Sequence, residues 1–171
     1  MRILGILLVL LSLTSAVARE SRCRDSEPQG SSIMIAGTEE PGERMVVKGR
    51  VTGQDGRGIA GLTVHLYHTD KDGYYNRDEA DDDPVRLCGT LRTADDGSFS
   101  YETIRPGSYP GGGVPAHVHY EVRGEGVSQQ SFELRFADDP LNRRENGEVR
   151  PIRRDNEGIW RVEQTLVLAG E

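Results

Sequence analysis

Seven short runs in which apolar and polar residues alternate limit this chain to a β-architecture: 45–52, 62–68, 86–93, 98–103, 117–123, 131–136 and 159–168. Side chains along a strand point alternately to opposite faces, so each run can bury one face and leave the other wet. No stretch carries the spacing of an amphipathic helix. Between the runs, Gln54-Asp55-Gly56, Asp72-Gly73 and Asp95-Asp96-Gly97 supply glycines that accept the positive φ of tight turns. Short strands joined in this way predict an all-β sandwich.

A length of 171 residues suits one domain. The net charge of −7 argues against a nucleic-acid partner, which concentrated Lys and Arg would mark, and directs attention to a small-molecule site. Arg2, the apolar run 3–13 and Ala16-Val17-Ala18 read as a signal peptide, 1–18, cleaved after Ala18. The apolar run falls short of the roughly 20 residues of a bilayer span. The expected mature protein is therefore exported, periplasmic or secreted, with no membrane span. Residues 19–44, rich in Ser, Glu, Gly and Pro, read as a flexible linker, leaving 45–171 as the sandwich domain. In an oxidising compartment Cys23 and Cys88 can pair; the other reading is two independent thiols. The acidic stretch 78–83 lacks the spacing of a calcium loop and reads as a solvated surface loop.

The strongest local signal for chemistry is Pro115-Ala116-His117-Val118-His119-Tyr120-Glu121-Val122. On a strand, Val118, Tyr120 and Val122 face the core while His117 and His119 share the other face, where two imidazoles can meet one metal ion. Glu121 shares that face, so a site of two histidines and one carboxylate for zinc, copper or ferrous iron stays open. Tyr74-Tyr75 follows Asp72-Gly73, and Tyr109 stands in Pro106-Gly107-Ser108-Tyr109-Pro110. Each tyrosine alone reads as a core or loop residue.

Taken together, Tyr75, Tyr109, His117 and His119 resemble the iron-binding signature of the intradiol ring-cleavage dioxygenases. The resemblance begins near Gly49-Arg50-Val51 and Gly58-Ile59-Ala60-Gly61. It continues through Val64-His65-Leu66-Tyr67-His68-Thr69-Asp70-Lys71-Asp72-Gly73-Tyr74-Tyr75 and Thr93-Ala94-Asp95-Asp96-Gly97-Ser98-Phe99, then Ile104 to Tyr109 and Pro115 to Tyr120. It implies a prealbumin-like β-sandwich holding non-haem Fe(3+) through Tyr75 rather than Tyr74, Tyr109, His117 and His119. It also implies a catechol-like substrate that displaces Tyr109, and O2 as co-substrate, giving a muconate-type dicarboxylate. The resemblance is imperfect: Val114 stands where the family usually has Arg, Glu133 where it often has Gln, and Tyr67 where it has Trp. Arg105 and Arg123 are the candidates to replace the missing cation. A metal-free, secreted prealbumin-like binding module is the competing reading, and a homo-oligomer joined through sandwich faces is compatible with either.

Overall fold

Apolar residues at every second position of the longer strands build two facing sheets, with ten strands among the described residues. The computed structural model describes residues 26–76, 85–142 and 149–170. In chain order the strands are β1 (Ser32–Met34), β2 (Arg44–Thr52), β3 (Thr63–His68), β4 (Leu87–Arg92), β5 (Ser98–Ile104), β6 (His117–Gly124), β7 (Val127–Phe136), β8 (Val149–Arg150), β9 (Ile152–Arg154) and β10 (Trp160–Val167). One sheet has the order β1-β5-β2-β10-β9 and the other β4-β3-β6-β7-β8, with no helix among the described residues. The expected sandwich is present, and each of the seven runs contains or overlaps a strand.

The core lies between the sheets and is built from the inward positions of both. Val47 and Val51 of β2, Phe99 and Tyr101 of β5 and Val162 and Leu166 of β10 meet Val64 and Leu66 of β3, Val118, Tyr120 and Val122 of β6 and Leu134 and Phe136 of β7. The Tyr101 and Tyr120 hydroxyls satisfy one another across the sheets at 2.5 Å, so two buried polar tips cost little. Gly49 stands at an inward position of β2 because the Phe99 ring occupies the space of a side chain: a Cβ there would lie 2.1 Å from its Cζ.

Three strands lie outside the predicted runs. β1 falls inside the segment expected to be a flexible linker, which over its described part instead pairs and packs. Ile33 packs against the core, Ala36 is buried, and β1 runs parallel to β5 with Ser32 opposite Ser100. Three residues are too few to display an alternating period against a Ser- and Gly-rich background. β8 and β9 escape prediction because Pro151 separates them; proline has no N–H to continue a ladder.

Both margins of the sandwich are crossed by chain that changes sheet. At one margin β8 pairs with β7 and, beyond Pro151, β9 pairs with β10 of the other sheet. At the opposite margin Gln29 donates to the Thr90 carbonyl and the Gly30 carbonyl accepts from Arg92, both on β4, before β1 joins β5. Cys88, on β4, is disulfide-bonded. Cys23, the expected signal peptide 1–18 and the acidic stretch 78–83 lie outside the described residues.

Candidate metal centre

His117 and His119 stand at the start of β6, on the face turned away from the core residues Val118 and Tyr120, as the alternation requires. His117 donates from Nδ1 to the Pro115 carbonyl at 2.8 Å, which leaves Nε2 as its lone-pair nitrogen when neutral. His119 lies under the Tyr67 ring, stacked at 4.6 Å between centroids. Burial and the adjacent His117 lower the His119 pKa, so the neutral imidazole prevails at neutral pH.

The two tyrosines come from loops, and glycines allow those loops to meet. Asp70 organises the first: its Oδ1 accepts from the Asp72 and Tyr74 amides, and its carbonyl accepts from Gly73 and Gly107. Gly73 has φ +89°, and a Cβ there would lie 2.0 Å from the Ser108 carbonyl oxygen. A Cβ on Gly107, in the second loop, would lie 2.4 Å from the Lys71 carbonyl oxygen. Only glycine at both positions lets the Asp-Gly-Tyr-Tyr and Pro-Gly-Ser-Tyr segments pack back to back. The Thr69 hydroxyl adds a bond to the Gly107 carbonyl at 2.9 Å. The result turns Tyr75 inward and leaves Tyr74 exposed.

Asp139 completes the support, and sequence reasoning missed it. Its carboxylate accepts from the Ala116 and Leu141 amides and from the Ser108 hydroxyl, tying the start of β6 to the Tyr109 loop. The available signal was Asp139-Pro140 after a strand, a turn pattern with no hint of what it caps.

The four expected residues converge. Tyr75 Oη lies 2.5 Å from Tyr109 Oη and 3.0 Å from His119 Nε2; His117 Nε2 lies 2.9 Å from His119 Nε2 and 3.3 Å from Tyr109 Oη. Metal bonds of about 2.0–2.1 Å place neighbouring donors roughly 3 Å apart, so this closed ring of four donors fits around one small cation. Burial, then the Tyr109 hydroxyl, pushes the Tyr75 phenol well above its ordinary pKa. A highly charged cation at the cluster would reverse that preference and favour phenolate.

The carboxylate reading changes its residue. The acidic group that joins His117 and His119 within 4.8 Å is Glu133, not Glu121. Glu133 lies directly across the β6–β7 ladder from His119, whereas Glu121 lies one same-face step further along β6, opposite His65 and Ser131. Glu133 Oε1 faces His119 Nδ1 at 3.8 Å, while His119 Nε2 faces the tyrosines.

Neither suggested replacement for the missing arginine occupies the site. Arg105 is committed to a two-pronged pair with Asp138 and lies against the Phe136 and Trp160 rings. Arg123 sits two same-face steps beyond His119, opposite Thr63. A guanidinium that does reach the cluster's surroundings is that of Arg135, opposite His117 on β7, which sequence reasoning did not consider. Val114 is exposed on the Gly-rich loop before His117.

A two-sheet sandwich carrying two tyrosines and two histidines on one small volume defines a protein with a metal-type site at the end of its second sheet. Residues 21–146 match the model of the family described as dioxygenase, and the chain belongs to the intradiol ring-cleavage dioxygenases. It is 30% identical to catechol 1,2-dioxygenase 1 of Acinetobacter lwoffii over 130 residues, 65% of this chain and 41% of that protein. It is 34% identical to the 6-chlorohydroxyquinol 1,2-dioxygenase of Cupriavidus pinatubonensis over 101 residues, 50% of this chain and 37% of that protein. The matched part thus spans about two fifths of those relatives' length. The dioxygenase domain of a dioxygenase and carbohydrate-binding protein fusion from Streptomyces sp. SirexAA-E shares the fold, with TM-score 0.71 and 24% identity over 86% of this chain and 92% of that one. So does catechol 1,2-dioxygenase from Acinetobacter sp. ADP1, with TM-score 0.67 and 21% identity over 82% of this chain and 57% of that one.

Proposed function

We propose that this chain is an exported, non-haem Fe(3+)-dependent intradiol dioxygenase that opens a catechol-like ring with O2 between its two hydroxyl-bearing carbons, giving a muconate-type dicarboxylate. The observation that carries the reading is the closed ring of four donors, Tyr75, Tyr109, His117 and His119, with neighbouring contacts of 2.5–3.3 Å. Its support from relatives is that proteins named catechol 1,2-dioxygenase and hydroxyquinol 1,2-dioxygenase share the family. Export rests on the pattern of residues 1–18 and predicts an exported protein whose intact mass begins at Arg19.

Ferric iron held by the four side chains would supply Lewis acidity and covalency with a bound catecholate. The chain's own residues divide the remaining work. His117 keeps its Nε2 lone pair directed at the cluster through its bond to Pro115. Tyr67 fixes the plane of His119 by stacking. Tyr109 sits where a loop meets the exposed Gly111, Gly112 and Gly113, so it is the phenol free to swing out; as it leaves, its phenolate oxygen takes a catechol proton. Tyr75, held by the Asp70 turn, stays in place. Both atoms of O2 end in the two carboxylates of the product.

The test is the visible spectrum of the Fe(III)-loaded protein before and after catechol, beside Tyr75→Phe and Tyr109→Phe. The expected result is a tyrosinate-to-iron charge-transfer band that catechol shifts and each variant changes, with a muconate-type product from the wild type. Folded protein that binds no iron rejects the site and leaves the metal-free binding module; iron bound without that band rejects the phenolate ligands and leaves a different metal site built on His117 and His119.

A further inference from the structure

The geometry points to a function for Glu133 and Arg135 that rests on the metal-site reading: we propose that they act as one positioning unit for His119, the Glu133 carboxylate fixing the ring with its proton on Nδ1 and Arg135 fixing the carboxylate. Three observations converge on this pair. The first is where His119 points its two nitrogens. Nε2 faces Tyr75 and His117 at 3.0 and 2.9 Å, and Nδ1 faces Glu133 Oε1 at 3.8 Å. The carboxylate therefore approaches His119 from its Nδ1 side, while one of its oxygens also stands within 4.8 Å of a His117 ring nitrogen.

The second is how Glu133 is held. Arg135 donates from both Nε and Nη2 to Glu133 Oε2, at 2.9 and 2.6 Å. That fork engages one oxygen and leaves Oε1 as the oxygen turned to His119. A guanidinium is donor-only and rigidly planar, so the fork anchors the carboxylate in one orientation. The ladder fixes the arrangement, because Glu133 pairs with His119 and Arg135 with His117.

The third is the contrast with His117. Its Nδ1 proton is taken by a backbone carbonyl, Pro115, two residues away. His119 lies within the ladder, where its neighbours' carbonyls serve the strand pairing, so a side chain has to do for it what Pro115 does for His117. A ligating histidine whose second nitrogen donates to a carboxylate or carbonyl is fixed in both tautomer and orientation, and losing that partner typically weakens metal affinity by about 10- to 100-fold. Neither Glu133 nor Arg135 is a catalytic residue on this account; both act through His119.

The test uses 15N NMR of the metal-free protein to read the tautomers of His117 and His119, in the wild type and in Glu133→Gln, Glu133→Ala and Arg135→Gln. The wild type is expected to hold both histidines with the proton on Nδ1. Glu133→Gln, whose amide oxygen still accepts, keeps that form at His119. Glu133→Ala turns His119 into a mixture while His117 stays unchanged, which reports that the fold is intact. Arg135→Gln, which frees the carboxylate to rotate, gives an intermediate shift. Fe(III) affinity, measured by chelator competition, falls at least tenfold in Glu133→Ala and much less in Glu133→Gln. A His119 tautomer that is mixed in the wild type, or unmoved in Glu133→Ala, overturns the proposal. Failure of the wild type to bind iron would overturn the metal-site reading alone, because the tautomer result is read without metal.

Discussion

His68 ends β3 fully buried, donating from Nδ1 to the Thr69 carbonyl and accepting from the Thr103 hydroxyl, both at 2.7 Å. That pairing suits the neutral ring, and burial lowers its pKa to about 4 from 6.5. A pKa depressed by folding stabilises the protein above the unfolded value, and the stabilisation is lost as pH falls from 6.5 towards 4. At about 1.4 kcal/mol per pH unit, its loss is worth roughly 3 kcal/mol. Urea unfolding at pH 7, 5.5 and 4 should show that decline, and His68→Gln should be weaker at pH 7 but flatter across the window. The buried phenols of Tyr101 and Tyr120 act at the other extreme. Burial raises both, so their contribution holds below the unfolded value near 10 and is lost above it. Single residues were legible in the sequence where period or chemistry marked them. Alternation identified Val118, Tyr120 and Val122 as core and placed His117 and His119 together. The choice of Tyr75 over Tyr74 came from family likeness, because a loop has no period that says which neighbour turns inward.

The elements that support the site are joined at two glycines and one aspartate. Gly73→Ala adds a Cβ 2.0 Å from the Ser108 carbonyl oxygen at φ +89°, so neither strain nor clash can relax without separating the tyrosine loops. We expect a loss of about 2–3 kcal/mol in thermal or urea unfolding, together with weaker iron loading. Asp139→Ala leaves the Ala116 and Leu141 amides without their acceptor and should cost about 1–3 kcal/mol. Its signature in a catechol titration would be disturbance of the donors from Tyr109 and His117 while the Tyr75 turn stays ordered. None of this pairing was readable from the chain. Sequence shows which face a residue occupies but not which residue of the next strand lies opposite, and that register substitutes Glu133 for Glu121 and brings Arg135 to the site. β1, β8 and β9 were hidden for a related reason: strands of two or three residues take their order from the neighbours they pair with, not from a pattern of their own.

At the scale of the whole molecule, seven runs and their turns sufficed to predict a sandwich, but not how its margins are finished. Sheet edges ordinarily present unpaired N–H and C=O groups on which another chain can add a strand. Here chain that passes from one sheet to the other covers both margins, through Gln29 to β1 on one side and β8 to β9 on the other. Deleting residues up to 35 should therefore strip the covering from β4 and β5, and light scattering should detect association that the full chain lacks. The two hems also limit how molecules of the intact protein can meet. With so little straight selvedge left, the fabric offers few places to stitch on another strip of backbone, so copies that assemble are expected to meet mainly cloth to cloth, with side chains choosing the neighbour.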